Sequence, residues 1–446
     1  MHHQKSCAPP NNRVLSTLNL SKGKRMNKKT LGMVMLLGCL ILGTGQAFAG
    51  GLWLYEQAAS DMGMAFAGRA ASGLDASTAF GNPAAMTVLD RSQLVGGFLG
   101  INVTSKFHVD SATNSGGNGG DAGYFIPSGT LAYVHKVNDD LRLGIYAGSY
   151  FGLGLDYNDG WSGRYYVQDA KFLTACINPS IGYRLNDYLS LGGGVSVVGG
   201  KMDTKVAINA LRPGRNDGSL KYEDMDIGYG YNLGVLLELS KQTRLGLTYR
   251  SAVDLNFNDK PDVNKDGWII NLLPDVLKNL SIDTTIPQDV MFSIWHQLTP
   301  ELALCANLGW QDWSRFGKPD ISVTGRQTRS LTADLKYRDT YHIALGTQYR
   351  FAPKWLASAG VAYDTSPIDK ARNRSPSLPL DRQIRYATGL QYEINNDITI
   401  GGALELIDAG TARINQEGRP LLRGELKGKY DTNYITVFNM HIIWKF

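Results

Sequence analysis

Long apolar runs are scarce in this chain of 446 residues, and the scarcity excludes a protein that crosses a membrane with helices. The one such run, Leu31 to Leu42, follows two lysines and precedes Ala47-Phe48-Ala49, a small-x-small cleavage site. A basic start, an apolar middle and a cleavage site in this order are typical of a secretory signal peptide. We therefore expect residues 1–49 to be an N-terminal extension and a signal peptide that is cleaved off.

A surplus of one charge sign is also missing. Residues 1–49 hold seven of the 45 Lys and Arg and none of the 40 Asp and Glu, so 38 basic residues face 40 acidic ones in the rest. This balance gives no basis for a nucleic-acid partner. Of the four cysteines, only Cys176 and Cys305 lie beyond residue 49, each inside an apparent strand. We expect buried thiols there rather than a disulfide framework.

Catalytic and zinc-binding motifs are absent from the sequence as well. Five histidines follow residue 49, but no serine nucleophile motif accompanies them. No HExxH motif and no Cys/His cluster suggests zinc. The sequence therefore predicts that the chain is not an enzyme and uses no cofactor.

Alternation of apolar and polar residues is what the chain has in place of these features, and its C-terminal end shows the pattern best. One face there carries Tyr434, Thr436, Phe438, Met440, Ile442, Trp444 and Phe446, and the other carries Asn433, Asn439, His441 and Lys445. A period of two over about ten residues, apolar outward and polar inward, is typical of a strand that crosses an outer membrane.

Fourteen such segments follow residue 91. We place them near 92–107, 127–137, 141–156, 168–185, 188–203, 226–240, 243–257, 284–298, 301–315, 338–351, 355–366, 381–394, 397–409 and 432–446. Every second connection is a tight polar turn, whereas the others are long and rich in Gly, Asn, Asp and Pro. Short inner turns that alternate with long outer loops predict a mainly β fold, a 14-stranded antiparallel transmembrane β-barrel over residues 92–446 in the cell outer membrane.

Residues 50–91 break the alternation, and we call this segment the hatch. It is rich in Ala, Gly and Met, and Asn82-Pro83 predicts a helix N-cap followed by proline at the first helical position. Its apolar side chains, among them Leu52, Trp53 and Phe66, need a surface to bury against. A barrel of fourteen strands has a wide lumen, so we expect a partly helical plug inside it rather than a periplasmic tail.

The segment also resembles the N-terminal hatch of the long-chain fatty-acid outer-membrane transporters of the FadL type, which include toluene-associated members. The resemblance rests on MAFAGRAASG and on Asn82, Pro83 and Ala84, and it continues through most of residues 50–446. Further matching motifs are TYRSAVDLNF at 248, NLGWQDWSRF at 307, YRDTYHIALGTQYRF at 337, AYDTSP at 362 and NRSPSLPLDR at 373. The family implies a fourteen-stranded barrel with a hatch and uptake of hydrophobic substrates without an energy source.

The resemblance also implies where substrate binds and leaves. The family's N-terminus reaches into its ligand site, which points to Leu52, Trp53 and Leu54. Family members that bind fatty acids use basic side chains for the carboxylate, and Lys205 and Lys318 lie near the corresponding places, although the spacing around Lys318 departs by two residues. An uncharged hydrocarbon therefore stays open as the substrate.

The third predicted strand carries the glycines of YFGLGL at 150–155. By resemblance, Gly152 matches the glycine at which family members bend a strand inward and open the wall, and Gly154 follows on the same strand. The alternative is that both glycines only relieve crowding in a twisted wall. With Asn82, Pro83 and Ala84, these two glycines are the predicted hatch and gating residues.

A predicted outer loop holds two more candidate features. Residues 268–280 place Trp268, Leu273 and Leu277 mainly along one helical face, which suits either the capture of an apolar substrate or packing against a neighbouring loop. Just before them, Asp262, Asn264 and Asp266 reproduce the opening of a calcium loop. Its twelfth position is Leu273 instead of a bidentate glutamate, so a simple turn competes with a weak calcium site.

From these features we expect passive uptake of hydrophobic molecules, above all long-chain fatty acids, captured by outer loops and released through a side opening near the third strand. The alternatives are uptake of aromatic or other hydrocarbons by the same route and a general porin for polar solutes. Expected partners are the hydrophobic small molecule, outer-membrane lipids and the barrel-assembly machinery during biogenesis, and we expect a monomer.

Overall fold

The computed structural model describes residues 53–57, 60–210, 216–264, 278–324, 328–418 and 423–446. The predicted signal peptide therefore lies outside the described residues. Strands dominate, and no helix in this part of the chain is long and apolar enough to cross a membrane. The helices are short: α1 (Arg69–Ser72), α2 (Thr78–Gly81), α3 (Trp313–Phe316) and the 3-10 turns Met62–Met64, Pro83–Val88 and Ala371–Asn373.

Fourteen antiparallel strands form one closed wall, as the sequence predicts. They are β1 (Gln93–Ala112), β2 (Phe125–Lys136), β3 (Leu141–Gly148) continued by β4 (Gly152–Asp156), β5 (Asp169–Arg184), β6 (Leu189–Ile208), β7 (Gly218–Ser240), β8 (Thr243–Arg250), β12 (Asp289–Gln297), β13 (Leu302–Gln311), β16 (Thr340–Ala352), β17 (Trp355–Asp364), β18 (Gln383–Glu393), β19 (Ile398–Asp408) and β21 (Glu425–Lys445). The first strand pairs with the last from Gln93↔Lys445 to Ala112↔Leu426, so the sheet closes on itself. Closure satisfies the backbone groups that hydrocarbon cannot.

The remaining strands lie beyond the wall. β9 (Val253–Asp259), β11 (Asn279–Ile286), β14 (Asp320–Thr324) and β15 (Thr328–Thr332) form a separate four-stranded sheet, while β10 (Asp262–Asn264) pairs with β7 and β20 (Arg413–Glu417) with β21. The prediction of one wall strand over 243–257 and another over 284–298 was therefore wrong. Each splits into a wall strand and a strand of the extra sheet, and alternation cannot separate the two because a half-buried sheet outside the membrane has the same period.

The wall sorts its side chains as the alternation indicates. On the last strand Tyr434, Met440 and Ile442 are exposed, whereas Asn439 and His441 point inward and are buried. The two cysteines are free and buried, as expected. Inside the wall, the hatch side chains Met62, Phe66 and Phe80 are fully enclosed. The apolar composition of residues 60–88 is thus explained by a position in the lumen.

Candidate functional site

The third strand of the wall is interrupted. β3 ends at Gly148 and β4 begins at Gly152. Below the interruption, β3 pairs with β2 up to Leu131↔Ala147. Above it, the backbone N–H of Asp156 donates to the carbonyl of Ala122 at 2.8 Å. Between these two contacts the described residues show no ladder between the second strand and the third, and this leaves a window in the wall, which we call the wall window.

Glycine is required at the upper edge of the wall window. Gly152 has φ +154, and a Cβ there would lie 2.8 Å from the carbonyl oxygen of Phe172. A Cβ on Gly154 would lie 2.0 Å from the hydroxyl of Tyr124. Larger residues at either position would have to displace the strand or its neighbour. The break and the two glycines therefore coincide.

A cavity of about 170 Å³ lies behind the wall window. Ile126 and Ser128 line it from the second strand, and Ser149 and Gly152 line it from the third. Most of the remaining lining is apolar and comes from Leu54, Ile101, Leu173, Ile407, Ile435 and Val437. Its charged lining consists of Glu56 and Arg385. The cavity thus joins the hatch to the wall window and is apolar except at one end.

The start of the described hatch, residues 53–57, forms one side of this cavity. The Leu54 N–H donates to the carbonyl of Tyr150 at 3.0 Å, and Trp53 forms an isolated bridge with Phe151, inside the break of the third strand. The Trp53 ring also packs edge-on against Tyr150 and Phe151, with centroid distances of 6.0 and 6.3 Å. Residues 53 and 54 therefore contact the wall window directly.

A buried charged cluster closes the inner end of the cavity. The Arg385 guanidinium donates to Glu56 of the hatch and, at 3.0 Å, to Asp364 of β17. The carboxylate of Glu405 on β19 lies 3.7 Å from the same guanidinium. On β16, the His342 ring nitrogen Nδ1 is 2.8 Å from Asp364. Arg385 is thus the centre of three carboxyl groups from three different elements.

The rest of the hatch is fixed to the wall. The Asn82 side chain caps the turn Pro83–Val88 by accepting from the N–H of Ala84 at 3.0 Å, which confirms the predicted N-cap and proline. The Asn82 amide also donates to the carbonyls of Ala70 at 2.6 Å and Val235 at 3.1 Å. It therefore ties two hatch segments to β7.

Glycines on the wall let the hatch come this close. On seven strands a Cβ would lie within 3.0 Å of a hatch atom, and we call these residues the hatch-facing glycines: Gly144, Gly182, Gly192, Gly234, Gly246, Gly346 and Gly360. At Gly234 that atom is the Asn82 side-chain oxygen, 1.8 Å away, and at Gly246 it is the Ala70 carbonyl, 1.9 Å away. A side chain at these positions would occupy space that hatch atoms fill.

The structure brings some of the predicted site residues together and leaves others apart. Leu54 and Gly152 share the cavity, and Trp53 contacts its edge. Lys205 does not line it: its ammonium pairs with Asp159 at 3.1 Å. Lys318 is exposed after α3 and is not among the lining residues either. The two lysines thus lie outside the cavity that the hatch start borders.

Several predicted site residues lie outside the described residues. They are Asp266, Trp268, Leu273 and Leu277 of the outer loop and Leu52 of the hatch. Of the predicted helix 268–280, residues 278–280 are described; 279 and 280 belong to strand β11, so the helix does not extend that far. Asp262 and Asn264 lie on strand β10, where they pair with Lys221 and Ser219. The rest of the predicted turn or calcium loop, residues 265–267, lies outside the described residues.

Sequence reasoning missed the charged cluster and part of the apolar lining. Arg385, Asp364 and Glu405 occupy inward positions of their strands, where polar residues are ordinary in a barrel. Ile435 and Val437 left a signal: they are apolar at inward positions, so Tyr434 to Phe438 reads as a nearly continuous apolar run. A break in the alternation of a wall strand therefore marks lumen lining that is not water-filled.

Comparisons with known proteins agree with this geometry. Residues 40–446 match the family model described as outer membrane protein transport protein (OMPP1/FadL/TodX). The chain is similar to the long-chain fatty acid transport protein of Escherichia coli O6:H1, at 27% identity over 93% of this chain and 100% of the relative. It is also similar to outer membrane protein P1 of Haemophilus influenzae, at 27% identity over 84% of this chain and 89% of that protein.

Solved structures show the same fold. A FadL homologue from Pseudomonas aeruginosa superimposes with a TM-score of 0.81 at 22% identity, covering 89% of this chain and 100% of that one. The toluene transporter TodX of P. putida superimposes with a TM-score of 0.63 at 16% identity, covering 90% of this chain and 99% of that one. At these identities the likeness is one of fold, and it does not choose between the two substrates.

Proposed function

The chain belongs to the outer membrane protein transport family (OMPP1/FadL/TodX), and on that premise we propose that it takes up long-chain fatty acids, which leave sideways through the wall window. As a member it is an outer-membrane transporter of hydrophobic compounds and not an enzyme. In this proposal the outer-loop residues Trp268, Leu273 and Leu277 capture the substrate, the cavity beside residues 53–57 holds it, and Gly152 and Gly154 keep the exit open.

The wall window is the observation that supports this route. An apolar molecule that crossed a polar, water-filled lumen would keep its surface hydrated, at a cost of roughly 25 cal/mol per Å² relative to burial. An exit through the wall leads from the apolar cavity directly to the hydrocarbon of the bilayer. The hatch-facing glycines also support a lateral route, because they leave the space in which the hatch fills the lumen.

A second substrate class, aromatic and other hydrocarbons, is favoured by the lining of the cavity. Neither Lys205 nor Lys318 reaches it, and its volume of about 170 Å³ is of the size that accommodates a single aromatic ring. A general porin is less consistent with a lumen in which Phe66 and Phe80 are fully buried.

The window is tested by straightening the third strand. Gly152→Val with Gly154→Val should reduce import of a labelled long-chain fatty acid by about tenfold or more, since both positions lack space for a side chain. Binding of the same fatty acid at the cell surface should persist. Gly199→Val is the matched control, because a Cβ at Gly199 meets nothing within 4 Å. Normal import by a correctly folded double variant would place the exit elsewhere.

A reversible block separates loss of the exit from misfolding. Ser128→Cys with Ser149→Cys puts one thiol on each side of the wall window, while the native cysteines are buried. A cleavable bifunctional thiol reagent should stop import, and cleavage of the reagent should restore it in the same cells. Each single cysteine variant should import normally throughout. Import that continues in the cross-linked protein would contradict the proposed route.

The proposal includes two further expectations about partners. The rings of Trp444 and Phe446 are exposed and adjacent, and we propose that they form a signal for the barrel-assembly machinery. A wall closed by the pairing of β1 with β21 needs no second copy to complete it, so we propose a monomer. Native mass spectrometry of the purified protein tests the second point, and a stable dimer would contradict it.

A further inference from the structure

The inner end of the cavity has more carboxyl groups than basic groups. Glu56, Asp364 and Glu405 surround the single guanidinium of Arg385, and His342 pairs with Asp364. Arg69 of the hatch lies near Glu56 and Glu405 too, but its charge is already balanced by Asp61, 2.6 Å away. Even with His342 protonated, three carboxyl groups face two cations. An anion arriving at this end would therefore be the fourth acidic group.

Arg385 has little capacity left for such an anion. Its Nε donates to Asp364 at 3.0 Å, its Nη2 donates to the side-chain oxygen of Gln383 at 2.8 Å, and its Nη1 donates to Glu56. These bonds use three of its five N–H groups, and its side chain is 2% exposed. Glu405 lies 3.7 Å from Nη1, so a ligand carboxylate would compete for the remaining N–H groups with carboxyl groups that the protein supplies.

The Glu405 carboxyl group, in contrast to the Arg385 guanidinium, lacks hydrogen-bond partners. The residue is 1% exposed, and neither of its carboxyl oxygens takes part in a hydrogen bond with any described residue. Its contact with Arg385 is the 3.7 Å ion pair. The second oxygen of Glu56 is likewise without a hydrogen-bond partner among the described residues. Buried oxygens without donors are costly, so this end of the cavity favours a ligand that brings a hydrogen-bond donor.

We propose that the headgroup held at the Arg385 end of the cavity is uncharged and donates a hydrogen bond, as an alcohol or a protonated carboxyl group does, and that anionic headgroups are excluded. The proposal rests on the proposed function and names the substrate class of the same cavity. The apolar walls hold the chain of the ligand, and Glu56 and Arg385, the charged lining that the described residues provide, meet its polar end. The charged and titratable groups around this end come from five elements: Tyr55, Glu56 and the Arg69–Asp61 pair of the hatch, His342 of β16, Asp364 of β17, Arg385 of β18 and Glu405 of β19.

Two probes of fixed charge test the proposal on the full protein in lipid nanodiscs. A long-chain 1-alkanol and an alkanesulfonate of equal chain length, both below their micellar concentrations, compete with a fluorescent alkanol. We expect the alkanol to bind at least about tenfold more tightly, because like charges at a few ångströms repel strongly in a site of low dielectric. Glu56→Gln and Glu405→Gln should each narrow this ratio, since each removes one carboxyl group without changing the side-chain volume.

Glu301→Gln, in the tight turn after β12, is the matched control and should leave the ratio unchanged. Equal binding of both probes to the wild type, or tighter binding of the alkanesulfonate, would overturn the proposal. A ratio unaltered in both folded glutamine variants would overturn it too, and if one variant fails to fold the other decides. Failure of the proposed function looks different: a folded wild type would then bind neither probe.

Discussion

Two parts of the hatch are attached to the barrel in different ways. Residues 60–88, the anchored part, lie against the hatch-facing glycines and are held by buried hydrogen bonds. Asn307 of β13 adds to these bonds: its side chain accepts from the N–H of Gly68 at 2.8 Å and donates to the carbonyl of Phe66 at 2.7 Å. Residues 53–57, the hatch start, have one backbone hydrogen bond to Tyr150, a hydrogen bond that Gln311 donates to the Tyr55 hydroxyl at 2.6 Å, aromatic contacts and the pair of Glu56 with Arg385.

The difference shows where movement is least expensive. Shifting the anchored part breaks many buried contacts at once and leaves cavities against the glycines. Shifting the hatch start breaks fewer contacts, and several of these border the wall window and the cavity. Local opening is drawn from the regions of lowest stability. We therefore expect the hatch start to move during transport while the anchored part stays in place.

The largest expected effect comes from filling one hatch-facing glycine. Gly246→Val places atoms where the Ala70 carbonyl now lies, 1.9 Å from the Cβ position. Overpacking of this kind costs roughly 1–3 kcal/mol or more, and here it should displace the anchored part from the lumen. Planar-bilayer recordings should show an ion-conducting barrel. Gly199→Val should stay closed, and a closed Gly246→Val channel would mean that the anchored part does not seal the lumen.

A smaller effect is expected from Asn82→Ala. The change removes the cap on Ala84 and leaves the carbonyls of Ala70 and Val235 without this donor. Unsatisfied buried groups cost roughly 1–3 kcal/mol each, so the unfolding midpoint should fall. Hydrogen exchange should accelerate over residues 70–88 and not at residues 53–57. Asn102→Ala, on an exposed position of β1, is the control; equal exchange changes in both parts would show that they move together.

The smallest effect on global stability is expected from Trp53→Ala. Its ring is buried, but a segment that opens locally can cost the whole protein no more than its own opening free energy. The unfolding midpoint should therefore change little, whereas exchange of the Leu54 amide, which donates to Tyr150, should accelerate clearly. Trp355→Ala, half exposed on the outer wall, should leave that amide unaffected. If Trp53→Ala lowered the unfolding midpoint as much as Asn82→Ala does, the hatch start would be as firmly attached as the anchored part, contrary to our prediction.

The sequence carried enough information for the wall and for the position of the hatch. Alternation and loop lengths gave the fourteen strands because a lipid-facing side and a lumen-facing side impose a strict period of two. The separate four-stranded sheet was not predicted, because Val253, Leu255 and Phe257 bury one face of β9 with the same period of two as a wall strand. Period alone does not say which surface a strand covers.

The cavity was predicted only in part, for a related reason. The resemblance located Leu54 and Gly152, which share the cavity, but it also pointed to Lys205 and Lys318, which lie outside it. Arg385 and Glu405 come together from neighbouring strands, and an isolated sequence pattern does not contain that cross-strand pairing. Glu56 meets them only because the hatch folds back into the barrel, a contact between residues more than 300 positions apart.

The hatch-facing glycines also limit how the hatch and the barrel can evolve. Each of them is a space shaped by a particular hatch atom, so a wall strand can acquire a side chain at that position only when the hatch changes with it. The two parts should therefore vary as one unit between relatives. Chimeras that combine the hatch of one relative with the barrel of another should assemble poorly, unless the hatch and the glycines it touches are exchanged together.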